Sequence, residues 1–160
     1  MKSLNCLIRA YTEALQQEDI QTAYKGILDF MGKLRADYKN KYPEYEIGSV
    51  YQGYMDMSYF SVSTKPLKEK GLKLAIVYLH EKGVFEVWLS ARNRAISKDY
   101  DFITNRVILE GLPVFHDESN RDAIIGCTLT SNPDFEDSAS LINMIEQGTE
   151  KFSARISGLV

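Results

Sequence analysis

Histidine and cysteine are scarce. Two of each occur in 160 residues: His80 and His116, Cys6 and Cys127. They show no metal-ligand spacing, which argues against a structural zinc site. The two thiols lie far apart in sequence, each among apolar neighbours, and read as buried reduced cysteines rather than a disulfide or a nucleophile. Long apolar runs are missing too, and none approaches the roughly 18 residues of a membrane-spanning helix. The first residues, Met1-Lys2-Ser3-Leu4-Asn5-Cys6, lack the apolar core of a signal peptide. A cytoplasmic protein without membrane contact is the expectation. With four prolines and no Pro/Gly/Ser-rich tract or internal repeat, nothing marks a linker, so residues 1–160 read as a single domain.

What is present is globular in kind. Hydrophobic residues make up 44% and charged residues 26%, with a net charge of -3. Those proportions exclude a disordered or fibrous chain. The charge is uneven along the sequence. Residues 65–98 carry eight basic and three acidic side chains, whereas residues 99–150 carry two basic and eleven acidic. A basic middle can meet an anionic ligand; equally, the two segments can face each other or solvate separate surfaces.

The hydrophobic periodicity predicts the elements. Ser3 caps a first helix with Leu4, Ile8, Tyr11 and Leu15 down one face. Asp19 caps a longer one, in which Ile20, Ala23, Tyr24, Ile27, Met31, Leu34 and Tyr38 recur at helical steps. Tyr42-Pro43 ends it. Glu44–Gln52 and Tyr54–Ser63 read as strands separated by Gly53, with Lys65–Gly71 a connection. Lys73–His80 is apolar on both faces and reads as a central strand. After the turn Glu81-Lys82-Gly83, Val84–Ser90 returns as its hairpin partner. A helix over Ala95–Asn105, a loop around Gly111-Leu112-Pro113, a strand over Ala123–Thr130 and a last helix opening at Asn132-Pro133-Asp134 complete the chain. The order is α-α-β-β-β-β-α-β-α. This is an α+β domain with a mostly antiparallel sheet of about five strands, packed with N-terminal and C-terminal helices.

One polar region stands out. Strand alternation puts Asp56 with Tyr54 and Ser58, and Glu86 with Trp88. If those faces coincide, Tyr54, Asp56, Glu86 and Trp88 form a candidate ligand site, with Arg92 and Arg94 at the strand end. Carboxylates beside aromatic rings can work as acid or base, rings can stack on a planar ligand, and arginines can hold a phosphate or carboxylate. The plainer alternative is a polar sheet face closed by ion pairs between these acids and arginines, with the aromatics as cross-strand neighbours. Asp56 is the first choice among them, because aspartate is disfavoured within strands. His80 reads as a solvated turn residue, and the ten tyrosines as the aromatic shell of the core.

Three stretches carry a resemblance: Tyr51-Gln52-Gly53-Tyr54-Met55-Asp56-Met57-Ser58-Tyr59-Phe60, the strand Leu72 to Glu81, and Phe85-Glu86-Val87-Trp88-Leu89-Ser90-Ala91-Arg92-Asn93-Arg94. Together they resemble a family of uncharacterised bacterial proteins known as a domain of unknown function. The likeness covers about residues 18 to 110 and, more loosely, the rest. It implies a small cytoplasmic bacterial protein and supplies no catalytic residues. The element order is also similar to the core of the PD-(D/E)XK nuclease superfamily, with Asp56 and Glu86 as the two acids. The lysine expected two residues after the second acid is Trp88 here.

These readings favour a non-catalytic module binding a small ligand or a protein through the Tyr51–Tyr59 and Glu86–Arg94 segments. The alternative is a metal-dependent phosphodiesterase or degenerate nuclease-like enzyme using Asp56 and Glu86. No cofactor and no metal ligands are assigned. The acidic balance argues against a nucleic-acid partner, and homodimerisation through an edge strand or a helix fits the pattern.

Overall fold

Ser3 Oγ accepts the Cys6 amide at 3.2 Å and starts α1 (Leu4–Leu15). Glu18, in a left-handed conformation with φ 61°, turns the chain into α2 (Asp19–Lys41). Asp19 in its first turn and Lys39 and Lys41 in its last suit the helix dipole. The expected stripe is buried in its second half, through Phe30, Met31, Leu34 and Tyr38. The sheet follows: β1 (Glu46–Ile47), β2 (Met57–Ser63), β3 (Leu72–Leu79), β4 (Val84–Ala91) and β5 (Ile125–Thr130). All neighbours are antiparallel and the spatial order is the sequence order, a meander. Short helix α3 (Lys65–Glu69) joins β2 to β3. Helices α4 (Arg94–Asp99) and α5 (Phe102–Glu110) follow β4, and α6 (Ser138–Ser157) closes the chain. Residues 1–110 and 114–160 are described by this computed structural model.

The α+β class and the element order match the expectation, with local differences. The connection at Lys65–Gly71 is helical because Thr64 caps it and Pro66 sits in its first turn, where a missing N–H costs nothing. The helix expected over Ala95–Asn105 is broken in two at Tyr100-Asp101. The first strand shrinks to two residues plus a bridge between Tyr51 and Tyr59. The last helix starts later, where Asp137 caps the Ser140 amide. The loop expected around Gly111-Leu112-Pro113 lies outside the described residues. Cys6 is exposed, because α1 buries nothing, and Cys127 is half-buried; both are free thiols. Among the described residues no helix is long and apolar enough to cross a membrane.

Strand alternation divides the sheet. Phe60, Val62, Leu74, Ile76, Phe85, Val87, Leu89 and Ile125 form one core with the buried faces of α2 and α6. Ala75, Val77 and Trp88 form a smaller cluster on the opposite face. The α2–α6 contact contains a polar knot. Lys41 Nζ lies 2.8 Å from Glu146 and 3.2 Å from Asp37, and Glu146 is 5% exposed. Burial, then its hydrogen bond to Asp37, pushes the Glu146 carboxyl up to about 7. Asp37 moves below its ordinary value, chiefly because it accepts that bond. Of the two carboxyls, Glu146 is the one that holds a proton more readily, and Lys41 bridges both.

The direction of the pH dependence follows. Glu146 is raised, so its contribution is fully present below its unfolded value and is lost as pH rises through about 7. Asp37 is lowered, so its contribution disappears only below its ordinary range. We expect the Glu146 part of the unfolding free energy, measured by urea titration, to fall from pH 5 to pH 8, against an opposing rise from His80, whose imidazole burial holds below its ordinary value. Glu146→Gln, which keeps a donor without titrating, flattens that slope. An equal slope in both proteins contradicts the assignment.

Candidate functional site

The face of the sheet away from α2 and α6 is built by the β3–β4 pairing. Lys73 sits opposite Ser90, Ala75 opposite Trp88, and Val77 opposite Glu86. Residues 114–124 fold back beside it. Phe115 and Gly126 exchange backbone hydrogen bonds at 2.9 Å, and the Asp122 carbonyl accepts the Ser90 hydroxyl at 2.6 Å. Gly126, opposite Trp88 in register, is bare where it must be: a Cβ there would lie 3.0 Å from both the Phe115 and Trp88 rings.

Two neighbouring cavities open on this face. The first, about 270 Å³, has Lys73, Arg92, Arg94 and Arg121 around it, with Tyr59 and Trp88 among its apolar lining. Asn93 caps α4 through the Ile96 amide at 2.9 Å, and the Arg92 amide donates to the Gly71 carbonyl at 2.8 Å, so the two arginines leave β4 on a fixed turn. Among the described residues no ion pair engages any of the four cations. The second cavity, about 350 Å³, is acidic, with Asp56, Glu81, Glu86 and Asp117 in its lining. Met57, Trp88 and Asp122 line both. The face is therefore bipolar, with Trp88 between a basic and an acidic end.

The acids are anchored. Asp56 accepts the Tyr54 amide at 2.8 Å, and the backbone bonds from Tyr54 and Met57 hold its carboxyl below the usual range. Asp117 is lowered likewise by the Ser119 hydroxyl and amide. Glu86 is 7% exposed and accepts the Trp88 indole N–H at 2.9 Å, which fixes the ring orientation.

The two candidate faces do not coincide. Ser58 and Phe60 point to the helix core, whereas Glu86, Trp88 and Ser90 line the other face. Asp56 is not mid-strand: positive φ at Gly53 and Met55 bends the chain, and β2 begins only at Met57. That bend nevertheless brings Asp56 into the cavity of Glu86. Trp88, Arg92 and Arg94 share the basic cavity. Tyr54 stands apart, 90% exposed. Among the described residues no ion pair joins either acid to Arg92 or Arg94. The sequence reading missed Lys73 and Arg121; Lys73 was legible as the polar member of the alternation Lys73, Ala75, Val77, Leu79, whereas Arg121 sits in an aperiodic segment. His80 is not a solvated turn residue. It is half-buried, ring to ring with Tyr24 and Tyr78, and lies 2.8 Å from Ser58 Oγ. The Ser58 hydroxyl donates to the Gln52 carbonyl at 2.6 Å, so His80 Nε2–H is the donor to Ser58. Burial keeps the imidazole below its ordinary value. With Ser58 fully buried, the pair ties β2 to β3 and offers no nucleophile.

The family model described as a domain of unknown function (DUF7000) matches residues 4–160, and the chain belongs to that family. No curated protein and no solved structure matches it. The likeness to nucleases is not supported: Trp88 replaces the lysine, Glu86 is bonded to the indole, and among the described residues no three His, Cys, Asp or Glu side chains come together as a metal site.

Gly71 governs the arginine turn. Its φ is +73°, and a Cβ there would meet Ile96 Cδ1 at 2.6 Å. We expect Gly71→Ala to destabilise the fold by about 1–3 kcal/mol through backbone strain and this clash, read as a lower thermal midpoint. An unchanged midpoint contradicts this reading of the turn.

Proposed function

We propose that this domain is a non-catalytic binding module for a small ligand with two or more negative charges, seated in the basic cavity of the open sheet face. One observation carries the reading: four cations surround a 270 Å³ cavity without an ion pair among the described residues, in a chain of net charge -3. Among the described residues Lys41 and Lys68 enter ion pairs, and what sets the four cations apart is that they share one cavity. Asp122 is the one acid in the cavity lining, so an excess of positive charge is left for the ligand. Arg92, Arg94 and Arg121 supply planar forks for phosphate or carboxylate oxygens, and Lys73 a point charge. Tyr59 and Trp88 offer apolar surface to the rest of the ligand. A concave cavity of this size favours a small molecule over a flat protein partner. The two free thiols agree with a cytoplasmic setting. Nothing in the donor set favours the metal-dependent enzyme.

Trp88 is the sole tryptophan, so its fluorescence reports the site directly. A panel of inorganic phosphate, pyrophosphate, nucleotides, sugar phosphates and dicarboxylates is titrated at low and high salt. We expect a saturable change with at least one of them, weakened by salt. Arg92→Ala and Arg94→Ala each reduce affinity about tenfold or more. Glu81→Gln, in the neighbouring cavity, does not weaken it. In the free protein Arg94→Ala does not lower the thermal midpoint, because it relieves repulsion between like charges. No response to any anion, or wild-type affinity in both arginine variants, overturns the proposal.

A further inference from the structure

α1 buries none of its twelve residues, yet it is strongly two-sided. Leu4, Leu7, Ile8 and Tyr11 are 51–70% exposed. A helix of this length is marginal in water on its own, so a covering surface is needed to hold it. Among the described residues α1 packs mainly against α2, at its C-terminal end where Ala14 and Leu15 are half-buried, and Leu4, Leu7, Ile8 and Tyr11 stay exposed.

The apolar pattern identifies what covers it. Leu4, Ile8, Tyr11 and Leu15 are spaced by four, three and four residues, the seam of a two-stranded coiled coil. Leu7 and Ala14 flank the seam on one side, Asn5 and Thr12 on the other. No charge lies in the seam or its flanks, so two identical copies meet without repulsion. Arg9 and Glu13 lie outside this surface and cancel. That balance disfavours a membrane surface, which selects helices with a cation-rich polar face.

We propose that α1 is a dimerisation helix that pairs antiparallel with α1 of a second copy. In the antiparallel register Leu4 packs on Leu15 of the other copy, and Ile8 on its Tyr11, giving four layers within α1. The same register sets Leu7 against Ala14 on one flank and Asn5 against Thr12 on the other. Apolar meets apolar and polar meets polar. A parallel pair would face Leu7 and Ala14 toward Asn5 and Thr12, mixing the two. The symmetric contact covers on the order of 1,000 Å² in total, the lower edge of specific interfaces, so the dimer dissociates on dilution. This surface lies apart from the basic cavity, and the inference does not rest on anion binding.

The test is sedimentation equilibrium of the full chain across a hundredfold range of concentration. We expect a reversible monomer–dimer equilibrium. Ile8→Glu and Tyr11→Lys, both at exposed positions, each give a monomer whose thermal midpoint, measured at a concentration where the wild type is also monomeric, is unchanged. Mixing the two variants restores a heterodimer, since the antiparallel register sets the introduced acid against the introduced base while the other central layer stays Tyr11 on Ile8. A wild-type protein that is monomeric throughout, a dimer that survives Ile8→Glu, or a mixture that fails to associate overturns the proposal. So does co-sedimentation with anionic vesicles in place of self-association.

Discussion

The β3–β4 pairing is the constraint on which everything else hangs. Both strands are buried on both faces, so neither can leave a side to water. One side is satisfied by Phe30, Met31 and Leu34 of α2 and by Ile145 and Phe152 of α6. Among the described residues the other has no helix layer and is closed by Trp88 lying across Ala75, with Tyr59 and Met57 from β2 and the Phe115 ring over Gly126. This second cover is thin, and it is mostly aromatic, with the polar tips of Trp88 and Tyr59 in it. A thin aromatic cover with charged rims is what leaves cavities on this face and a compact core on the other.

Glu86 shows how closely the two roles are joined. Burying a carboxylate costs several kcal/mol unless a partner compensates. The Trp88 indole N–H supplies one bond at 2.9 Å, and the side chain opens on the acidic cavity. In return the carboxylate fixes the orientation of the indole through that bond. The acid and the ring form one unit, and the basic cavity inherits its wall from it. Removing either exposes the central hairpin.

Much of the fold was legible because it follows from periodicity. The apolar run Leu74 to Leu79 belongs to a strand buried on both faces, and the stripe ending in Met31, Leu34 and Tyr38 belongs to a helix with one buried face. The site was less legible. Trp88, Arg92 and Arg94 are close in sequence and stay together in space. Asp56 depends on a bend set by positive φ at Gly53 and Met55, which alternation does not foresee. Assigning Asp56 to a strand gave it the face of Ser58, the wrong one. Arg121 is contributed by an aperiodic segment whose position is fixed by the Phe115–Gly126 bridge and the Ser90–Asp122 bond, contacts between residues far apart in sequence. Local pattern carries no information about such closures.

The charge blocks of the sequence also dissolve in three dimensions. The basic middle segment scatters: Lys68 pairs with Glu46, whereas Lys73, Arg92 and Arg94 turn to the open face. Arg121, from the acid-rich segment, joins them there, and Asp117, four residues before it, goes to the opposite end. Segment charge therefore says little about this surface, and the placement of a few side chains says most. Four like charges around one cavity repel each other and reduce the stability of the empty protein. Acids are plentiful, at 22 against 19 bases, and one suitably placed carboxylate would relieve that repulsion. Of the described acids Asp122 alone lines that cavity, whereas Asp56, Glu86 and Asp117 lie beyond Trp88, bonded to their own backbone or to the indole. On the proposed reading, this separation of charge is the stability cost of keeping a surface for an anionic ligand.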